Sequence, residues 1–425
     1  MAKPKLALIP AAQGSKFYSV LPSSGVGDFD FTRSGSATRI NSQGLIETVG
    51  NGVSRLNYPL IDGKVVGCPH HILEPQRTNL LPYSEDFSQS NWTKSNSSIT
   101  SNSVISPNGT LNADKLIEDT SNGSHQVYDT VITASGNFSN SIFVKAAERS
   151  KIRINSGSNS FRVDFDLSNG TVISEVGATG NIVSISNGWY KCDISWNTST
   201  VSAQYFLISL LDDSGIQSYQ GDGTSGIYIW GAQLEVGSYP TSYIPTNGSA
   251  VTRSAETANG SGDASTFNDS EGVLMAEISA LANDGTNRFI SLKNNTTVDI
   301  IRIGYITTSN RIEIQNYKAG ALFNLFNYEF QDVKTNSKIA FKWKDNDFQL
   351  YINGLNVLSN TSVTGWGSGV FQSLQFDQHN GGNDFYGNTK QIQYYDSALT
   401  DSELEQLTSW TSFSDMANGQ LYSIQ

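Results

Sequence analysis

Apolar and polar residues alternate in short runs along most of the chain, which is the period of a half-buried β-strand. The alternation is clear in residues 161–167, FRVDFDL, and recurs in residues 227–235, IYIWGAQLE. Turn-forming Gly, Asn, Asp and Ser residues separate the runs at short intervals. This pattern predicts an all-β protein built from antiparallel jelly-roll or β-sandwich domains.

The 425 residues are more than one domain of ordinary size needs, and the runs fall into successive regions. Residues 1–78 contain short apolar pieces between many Gly, Ser and Pro residues, too few for a core of their own. We therefore predict an irregular N-terminal attachment arm that becomes ordered only against a partner or a second copy. A jelly roll is predicted over 79–248, a linker over 249–261, a sandwich over 262–410 and a tail over 411–425.

Two local patterns in the last sandwich are specific. Residues 341–357, FKWKDNDFQLYINGLNV, predict a hairpin followed by a second tight turn at Asn353, because Asn and Gly tolerate positive φ. Thr400 and Glu403 have the spacing of a capping box and predict a helix over TDSELEQLTSW. Trp230 and Trp343 alternate with apolar neighbours, so we predict that both are core residues.

Charge and cysteine content narrow the function. The net charge is −12 and there is no dense run of Lys or Arg, so nucleic acid is not an expected ligand. Two Cys residues exclude a disulfide framework and a cysteine-rich zinc site. No apolar run is long enough to insert into a membrane. The apolar part of MAKPKLALIPAA is short and interrupted by Pro10, so we expect no signal peptide and synthesis in a cytoplasm.

Several phrases resemble known families. "LYINGLNV" and "IQYYDSALTDSELEQL" resemble laminin-G or concanavalin-A-like domains. "NLLPYSEDFSQSNW" and "IYIWGAQLEVGSYPTSYIPT" resemble carbohydrate-binding-module jelly rolls. "FTRSGSATRINSQGLIETV" and "LEPQRTNLL" resemble the N-terminal part of phage virion proteins.

The resemblance implies a non-enzymatic structural protein on a phage virion surface, a fibre or decoration protein of the head or tail. It implies a fold of a carbohydrate-binding-module-like jelly roll followed by a concanavalin-A-like sandwich. The arm would contact other virion proteins. The chain would form a homo-oligomer, with a trimer expected from phage fibres, and bind host or environmental glycans weakly and multivalently.

Two alternatives stay open: a purely structural capsid- or tail-bridging protein that binds no glycan, and a polysaccharide-degrading glycoside hydrolase. Concanavalin-A-like glucanases resemble one another in a Glu-x-Asp-x-x-Glu motif, which is absent from the sequence. Asp164 and Asp166 alternate on one strand, which we interpret as a solvated face. Adjacent residues of an extended chain point in opposite directions, so His70 and His71 are poorly suited to bind one metal ion together. We interpret the pair as part of a structural loop and not as a metal site. We predict no enzymatic activity.

Sugar recognition needs an aromatic ring for the apolar face of a pyranose and polar groups that orient it. Gly-rich loops in the last predicted sandwich, 262–410, offer both an aromatic ring and polar groups. The glycan-binding candidates are Trp366 in TGWGSG, with its ring expected to be exposed, and His379, Asn383, Asp384 and Tyr386 in HNGGNDFYGN.

Calcium is the one cofactor for which the chain offers candidates, since both resembled domain types often hold Ca²⁺ through Asp, Asn and backbone carbonyls. The same residues also build ordinary polar turns, and we favour that interpretation. The candidate ligands are Glu85, Asp86, Asp212 and Asp213, with the loop 380–384 as a further place.

Overall fold

The structure is a computed structural model that describes residues 2–156, 160–294, 298–367 and 369–410. Its regular structure is almost entirely β, and the neighbouring strands of its sheets are antiparallel, as the alternating pattern predicts. The predicted tail, 411–425, lies outside the described residues. Among the helices of the described part of the chain, none has the length and apolar character needed to cross a membrane.

The first region contains short strands. Their bounds are β1 (Leu6–Leu8), β2 (Lys16–Phe17), β3 (Ser19–Leu21), β4 (Phe29–Thr32), β5 (Ala37–Ile40), β6 (Ile46–Val49), β7 (Leu56–Asn57), β8 (Leu60–Ile61), β9 (Lys64–Val65), β10 (His70–Leu73) and β11 (Arg77–Asn79).

The middle region contains longer strands and one short 3₁₀ helix, Ser186–Gly188. The strands are β12 (Thr93–Ser95), β13 (Ser97–Ile105), β14 (Leu111–Glu118), β15 (Asn122–Ser124), β16 (Gln126–Ala146), β17 (Lys151–Ser156), β18 (Phe161–Asp166), β19 (Thr171–Val176), β20 (Thr179–Ile185), β21 (Trp189–Leu211), β22 (Ser218–Gln220) and β23 (Gly226–Val236).

The last region ends in one helix, α1 (Asp401–Ser409). Its strands are β24 (Val251–Arg253), β25 (Thr257–Asn259), β26 (Glu271–Ala280), β27 (Arg288–Lys293), β28 (Ile300–Tyr305), β29 (Arg311–Lys318), β30 (Ala321–Glu329), β31 (Ser337–Lys344), β32 (Phe348–Ile352), β33 (Leu355–Asn360), β34 (Ser373–Gln375) and β35 (Gly387–Tyr395).

The middle region is a sandwich because its two long strands take part in two layers. Residues 126–130 of β16 pair with residues 205–209 of β21, and residues 136–144 pair with residues 190–198. The first half of this pair continues into β17, β18 and β19, and the second half into β20, β23 and β14. Alternate residues such as Val163 and Phe165 fill the space between the layers.

One prediction for this sandwich is wrong. Asp164 does not lie on a solvated face, because only 6% of the residue is exposed. The Arg153 guanidinium on the neighbouring strand donates to both of its carboxylate oxygens, at 2.6 Å from Nε and 2.9 Å from Nη2. A paired, buried carboxylate of this kind is a structural ion pair.

The N-terminal region is not a separate arm, which corrects the prediction. Leu6 and Leu8 of β1 lie opposite Tyr394 and Ile392 of β35, and β10 pairs with the beginning of the same strand. Phe17 of β2 packs in the core of the last sandwich. The region has too few apolar residues for its own core, and it therefore completes the core of another domain in the same chain.

His70 and His71 also differ from prediction, since they lie in strand β10 and not in a loop. Both are buried, and the His71 ring stacks on Phe17 with 3.7 Å between ring centroids. Burial lowers the pKa of His71 to about 3, so the ring is neutral in the folded protein at ordinary pH.

The last sandwich packs a five-stranded sheet, in the order β30-β29-β28-β27-β34, against the larger sheet that contains β1, β35, β26 and β31. Trp343 is completely buried there and Trp230 is 1% exposed in the middle region, which confirms both core predictions. The predicted hairpin forms between β31 and β32, with Asn346 at positive φ in its turn, and Asn353 has positive φ in the predicted second turn, between β32 and β33. The predicted capping box of Thr400 and Glu403 starts α1.

A buried charge network joins the regions. Arg33 and Arg55 donate to the Glu256 carboxylate, and Arg55 and Arg253 contact Glu74. All five residues are less than 5% exposed. The predicted linker 249–261 contains β24 and β25 and two members of this network, Arg253 and Glu256.

Candidate functional site

The glycan-binding residues predicted in the last sandwich do not form one site. Trp366 is 4% exposed, and its ring packs against Phe348 and Phe371. The indole Nε1 donates to the Tyr317 carbonyl at 2.7 Å. The prediction of an exposed ring is wrong, because the Gly-rich loop folds this side chain into the core, where no sugar can stack on it.

His379 contacts strands β27 and β28 of the five-stranded sheet. Its backbone has a φ of 108°, which is rare for a residue with a side chain. Arg302 Nη2 lies 2.7 Å from its Nδ1, and Lys293 donates to its carbonyl at 3.0 Å. Burial, Arg302 and Lys293 lower the pKa of His379 to about 4. The imidazole is therefore neutral at pH 7 and already holds a guanidinium in place.

The rest of this loop is held by its own hydrogen bonds. Tyr386 donates to Asp384 Oδ2 at 3.0 Å, and Asn383 donates to Gln378. Burial raises the pKa of Asp384, although the Tyr386 hydroxyl opposes this. The polar groups that were predicted to meet a sugar are therefore largely paired with one another.

The calcium candidates also separate. Asp212 Oδ1 accepts from the backbone N–H groups of Ser214 and Ile216, at 2.9 and 2.7 Å, and so forms a turn. Asp213 is exposed beside it. Among the described residues there is no group of three or more His, Cys, Asp and Glu that could hold a metal ion. Calcium binding through fewer carboxylates and backbone carbonyls stays a prediction.

The other two calcium candidates, Glu85 and Asp86, lie in a cleft of the middle sandwich, which we call the Glu85 cleft. Its volume is about 460 Å³, within the range of small-ligand sites. Segment 83–88, strands β13 and β14, and segment 245–247 form its walls. The lining residues are Tyr83, Glu85, Asp86, Ser88, Ser101, Asn102, Asn112, Asp114, Pro245, Thr246 and Asn247.

Glu85 is held in a fixed position. Its Oε1 accepts from the Tyr243 hydroxyl at 2.9 Å, and its Oε2 accepts from the Asn112 amide at 3.0 Å. Tyr243 is buried and also contacts Ser84 at 2.7 Å. Burial raises the pKa of Glu85, although the Tyr243 hydrogen bond opposes this. A carboxylate with two donors still has free lone pairs for the hydroxyls of a ligand.

Asp114 is a cleft residue that the sequence pattern did not indicate. Its oxygens accept from the backbone N–H groups of Phe87 and Asn102, at 2.9 and 3.0 Å. The second hydrogen bond depends on an irregularity of β13 between Thr100 and Val104, where Asn102 has a φ of 53°. Burial raises the pKa of Asp114 to about 6 against these two hydrogen bonds. Such bulges redirect side chains near functional sites.

Two polar atoms of residues that line the cleft have no hydrogen-bond partner in the described part of the chain. Thr246 is 6% exposed, and its Oγ1 makes no hydrogen bond. Asn112 Oδ1 is also buried without a partner, while its amide nitrogen is used by Glu85. Buried polar atoms are nearly always paired, so each of these side chains would gain a hydrogen bond by turning toward a water or a ligand in the cleft. The half-buried ring of Tyr83 forms an apolar part of the wall.

Sequence reasoning could not assemble this cleft, because its residues come from four separated segments. Glu85 and Asp86 were noticed as possible metal ligands. Asp114 reads as one polar position of an alternating strand, and Thr246 as part of the exit from the domain. The one signal in the sequence is that residue 102 is an Asn, which tolerates positive φ and so permits the irregularity in β13.

Comparison with known proteins assigns no family. No family model matches the chain. No curated protein matches it. Among solved structures, one similar structure is the carbohydrate-binding module (CBM40) of a Ruminococcus gnavus sialidase, bound to α2,3-sialyllactose. Its sequence identity is 15% and its TM-score is 0.29, and the match covers 34% of this chain and 86% of the CBM40 chain.

Two further structures show the range of these similarities. The NanB sialidase of Streptococcus pneumoniae has 17% identity and a TM-score of 0.29, with 34% of this chain matching 24% of the sialidase chain. Domains LG4-5 of the mouse laminin α1 chain have 10% identity and a TM-score of 0.22, with coverages of 66% and 90%. Scores this low assign no ligand to the chain.

Proposed function

We propose that this chain is a non-enzymatic glycan-binding protein displayed on a phage particle, and that the Glu85 cleft is its sugar site. The observation that carries the proposal is the cleft itself, with a volume of about 460 Å³ and a lining of amides, hydroxyls and carboxylates. The phage setting rests on the sequence resemblance to virion proteins. Contacts with other virion proteins and assembly into a homo-oligomer are part of the same proposal.

The chemistry of the cleft suits a sugar. A pyranose presents hydroxyl groups that both donate and accept, together with an apolar face. Glu85 and Asp114 offer acceptors held by hydrogen bonds, and Asn112 Oδ1 offers an unused acceptor. The ring of Tyr83 offers the apolar surface. Because few groups contact the ligand, we expect weak binding at a single site that display in several copies strengthens.

One observation favours a second candidate, a glycoside hydrolase. Glu85 and Asp114 line the same cleft, and burial raises the pKa of both carboxyls, as in a general acid. Both oxygens of Asp114, however, accept from backbone N–H groups. These hydrogen bonds favour the ionised form of Asp114, which accepts hydrogen bonds and has no proton to donate, so the binding function is preferred.

The experiment is a glycan array of bacterial surface polysaccharides probed with the full-length chain, presented as a multivalent conjugate. We expect binding that falls at least about tenfold in Tyr83→Ala, which removes the ring from the cleft wall. Tyr386→Phe is the matched control, because its hydroxyl serves the loop of the other sandwich.

The outcomes separate the three functions. Absence of binding at high valency would leave the purely structural alternative. Release of reducing sugar from a bound polysaccharide, lost in Glu85→Gln, would establish the hydrolase. Binding that depends on Tyr386 and not on Tyr83 would place the site on the sandwich that the sequence pattern favoured.

A further inference from the structure

The Glu85 cleft has an unbalanced charge. Three of the residues that line it are carboxylates: Glu85, Asp86 and Asp114. Burial opposes the charge of Asp86, but hydrogen bonds from Ser88 and Gln89 outweigh it and lower the pKa of Asp86, so it is ionised at neutral pH. The pKa of Asp114, about 6, leaves it mainly ionised at pH 7.5. A ligand in the cleft therefore meets several negative charges.

No Lys or Arg is among the described residues that line the cleft. Lys94 acts on two of these carboxylates: its charge helps to lower the pKa of Asp86 and opposes the rise in the pKa of Asp114. Its ammonium donates to the carbonyls of Ser88 and Gln89, at 2.9 and 2.8 Å, so two of its three protons are already used. Lys94 therefore holds the segment beside the cleft, and its single positive charge is outnumbered by the three carboxyl groups of the lining.

The two unpartnered atoms also favour a ligand that donates hydrogen bonds. Asn112 Oδ1 is an acceptor that needs a donor, and Thr246 Oγ1 can donate or accept. Donors for these atoms and for the carboxylates are supplied by sugar hydroxyls. A carboxylate or sulfate group on a sugar supplies no proton and would lie among like charges.

We propose that the Glu85 cleft selects uncharged, hydroxyl-rich sugars and excludes sugars that carry a carboxylate or sulfate. This inference rests on the proposed function and names the class of its ligand. Glu85 acts as a specificity residue: it accepts from neutral sugars and repels acidic ones. The acidic surface polysaccharides of bacteria would then be poor ligands, and neutral ones would be targets.

The test uses the full-length chain and an array of matched pairs of oligosaccharides. Each pair consists of a neutral oligosaccharide and the same oligosaccharide with a uronic acid in place of one hexose. We expect each bound neutral member to bind at least about tenfold more tightly than its acidic counterpart at pH 7.5, because the like charges meet in a partly buried site.

Glu85→Gln tests whether the charge of Glu85 causes the preference for neutral sugars. The glutamine keeps the size of the side chain and its hydrogen bond with Tyr243, and the Asn112 amide can turn to pair with the new NH₂ group. The variant is expected to narrow the preference within each pair by about tenfold. Asp86→Asn, whose hydrogen bonds are local to its own turn, is the second variant in case the first fails to fold.

Asp213→Asn is the matched control. It removes one carboxylate from the same sandwich at a side chain that is 86% exposed and outside the cleft. It should leave the preference unchanged. An equal change in this control would show an effect of net charge and overturn the inference.

The two levels of the proposal fail differently. Acidic members that bind as well as their neutral counterparts would overturn the charge selection while the sugar-binding function stands. Absence of binding to any member of the array, neutral or acidic, would overturn the sugar-binding function itself. A preference for neutral sugars that both cleft variants leave unchanged would place the selectivity elsewhere and overturn the role of Glu85.

Discussion

Replacing Glu256 by Gln is expected to destabilise the protein strongly, because Glu256 is the centre of the buried charge network. Its carboxylate accepts from Arg33 Nη1 at 2.7 Å, from Arg55 Nε and the Glu74 backbone N–H at 2.9 Å each, and from Arg55 Nη2. Glutamine keeps the volume but replaces one acceptor oxygen with an NH₂ group, which would face donors.

The magnitude follows from the hydrogen bonds that a glutamine NH₂ group cannot accept. Two of the four hydrogen bonds lose their acceptor, and hydrogen bonds to charged groups contribute about 1.5–3 kcal/mol each. Arg33 would also be left without its carboxylate partner while remaining buried. Breaking a buried ion pair on one side costs about 3–5 kcal/mol. We therefore expect the free energy of unfolding to fall by about 3–5 kcal/mol.

The assay is urea unfolding at pH 7.5, followed by tryptophan fluorescence and circular dichroism so that separate transitions of the domains can be distinguished. Glu47→Gln is the matched control. Glu47 contacts Arg39 at 3.3 Å with 40% of its side chain exposed, so its loss should cost less than about 1 kcal/mol.

A loss of less than about 1 kcal/mol for Glu256→Gln, or a loss equal to that of Glu47→Gln, would refute the reasoning. It would mean that the arginines find other acceptors or water once the carboxylate charge is gone. If Glu256→Gln has the same free energy of unfolding as the unsubstituted protein, the argument that the network fixes the N-terminal region to the two sandwiches also fails.

Three further predictions concern the fold. Burial lowers the pKa of His71 to about 3, so between pH 6.5 and 3 the unfolded chain takes up a proton that the folded protein does not. The free energy of unfolding should therefore fall as the pH drops through this range. In urea unfolding at a series of pH values, His71→Phe should make this fall smaller. Trp366→Ala should lower the free energy of unfolding by about 3–5 kcal/mol, whereas an exposed ring would cost much less. Thr400→Ala should cost about 1 kcal/mol in the same assay and leave glycan binding unchanged, since it removes only the cap of α1.

Local patterns were predicted well where neighbours in the sequence decide the structure. The hairpin of β31 and β32 needs only alternation and a turn that tolerates positive φ, and the start of α1 needs only Thr400 and Glu403. Trp230 and Trp343 were placed in the core for the same reason, because a strand presents alternate residues to one face.

Predictions that depended on distant parts of the chain were less accurate. The Gly-rich surroundings of Trp366 indicated an exposed loop, but aromatic residues from other strands surround the ring. Asp164 looked solvated until the pairing of β17 with β18 placed Arg153 opposite it. In both cases the deciding partner lies outside the local pattern.

The sequence by itself determined the all-β class, the turns, the capped helix and the acidic, cysteine-poor character of the chain, since these follow from local propensity and composition. Tertiary structure alone decided that Leu6 and Leu8 complete the last sandwich, that Arg55 and Glu256 meet in the interior, and that Asp114 shares a cleft with Glu85. Each of these depends on contacts between residues that are far apart in the chain, which no local pattern encodes.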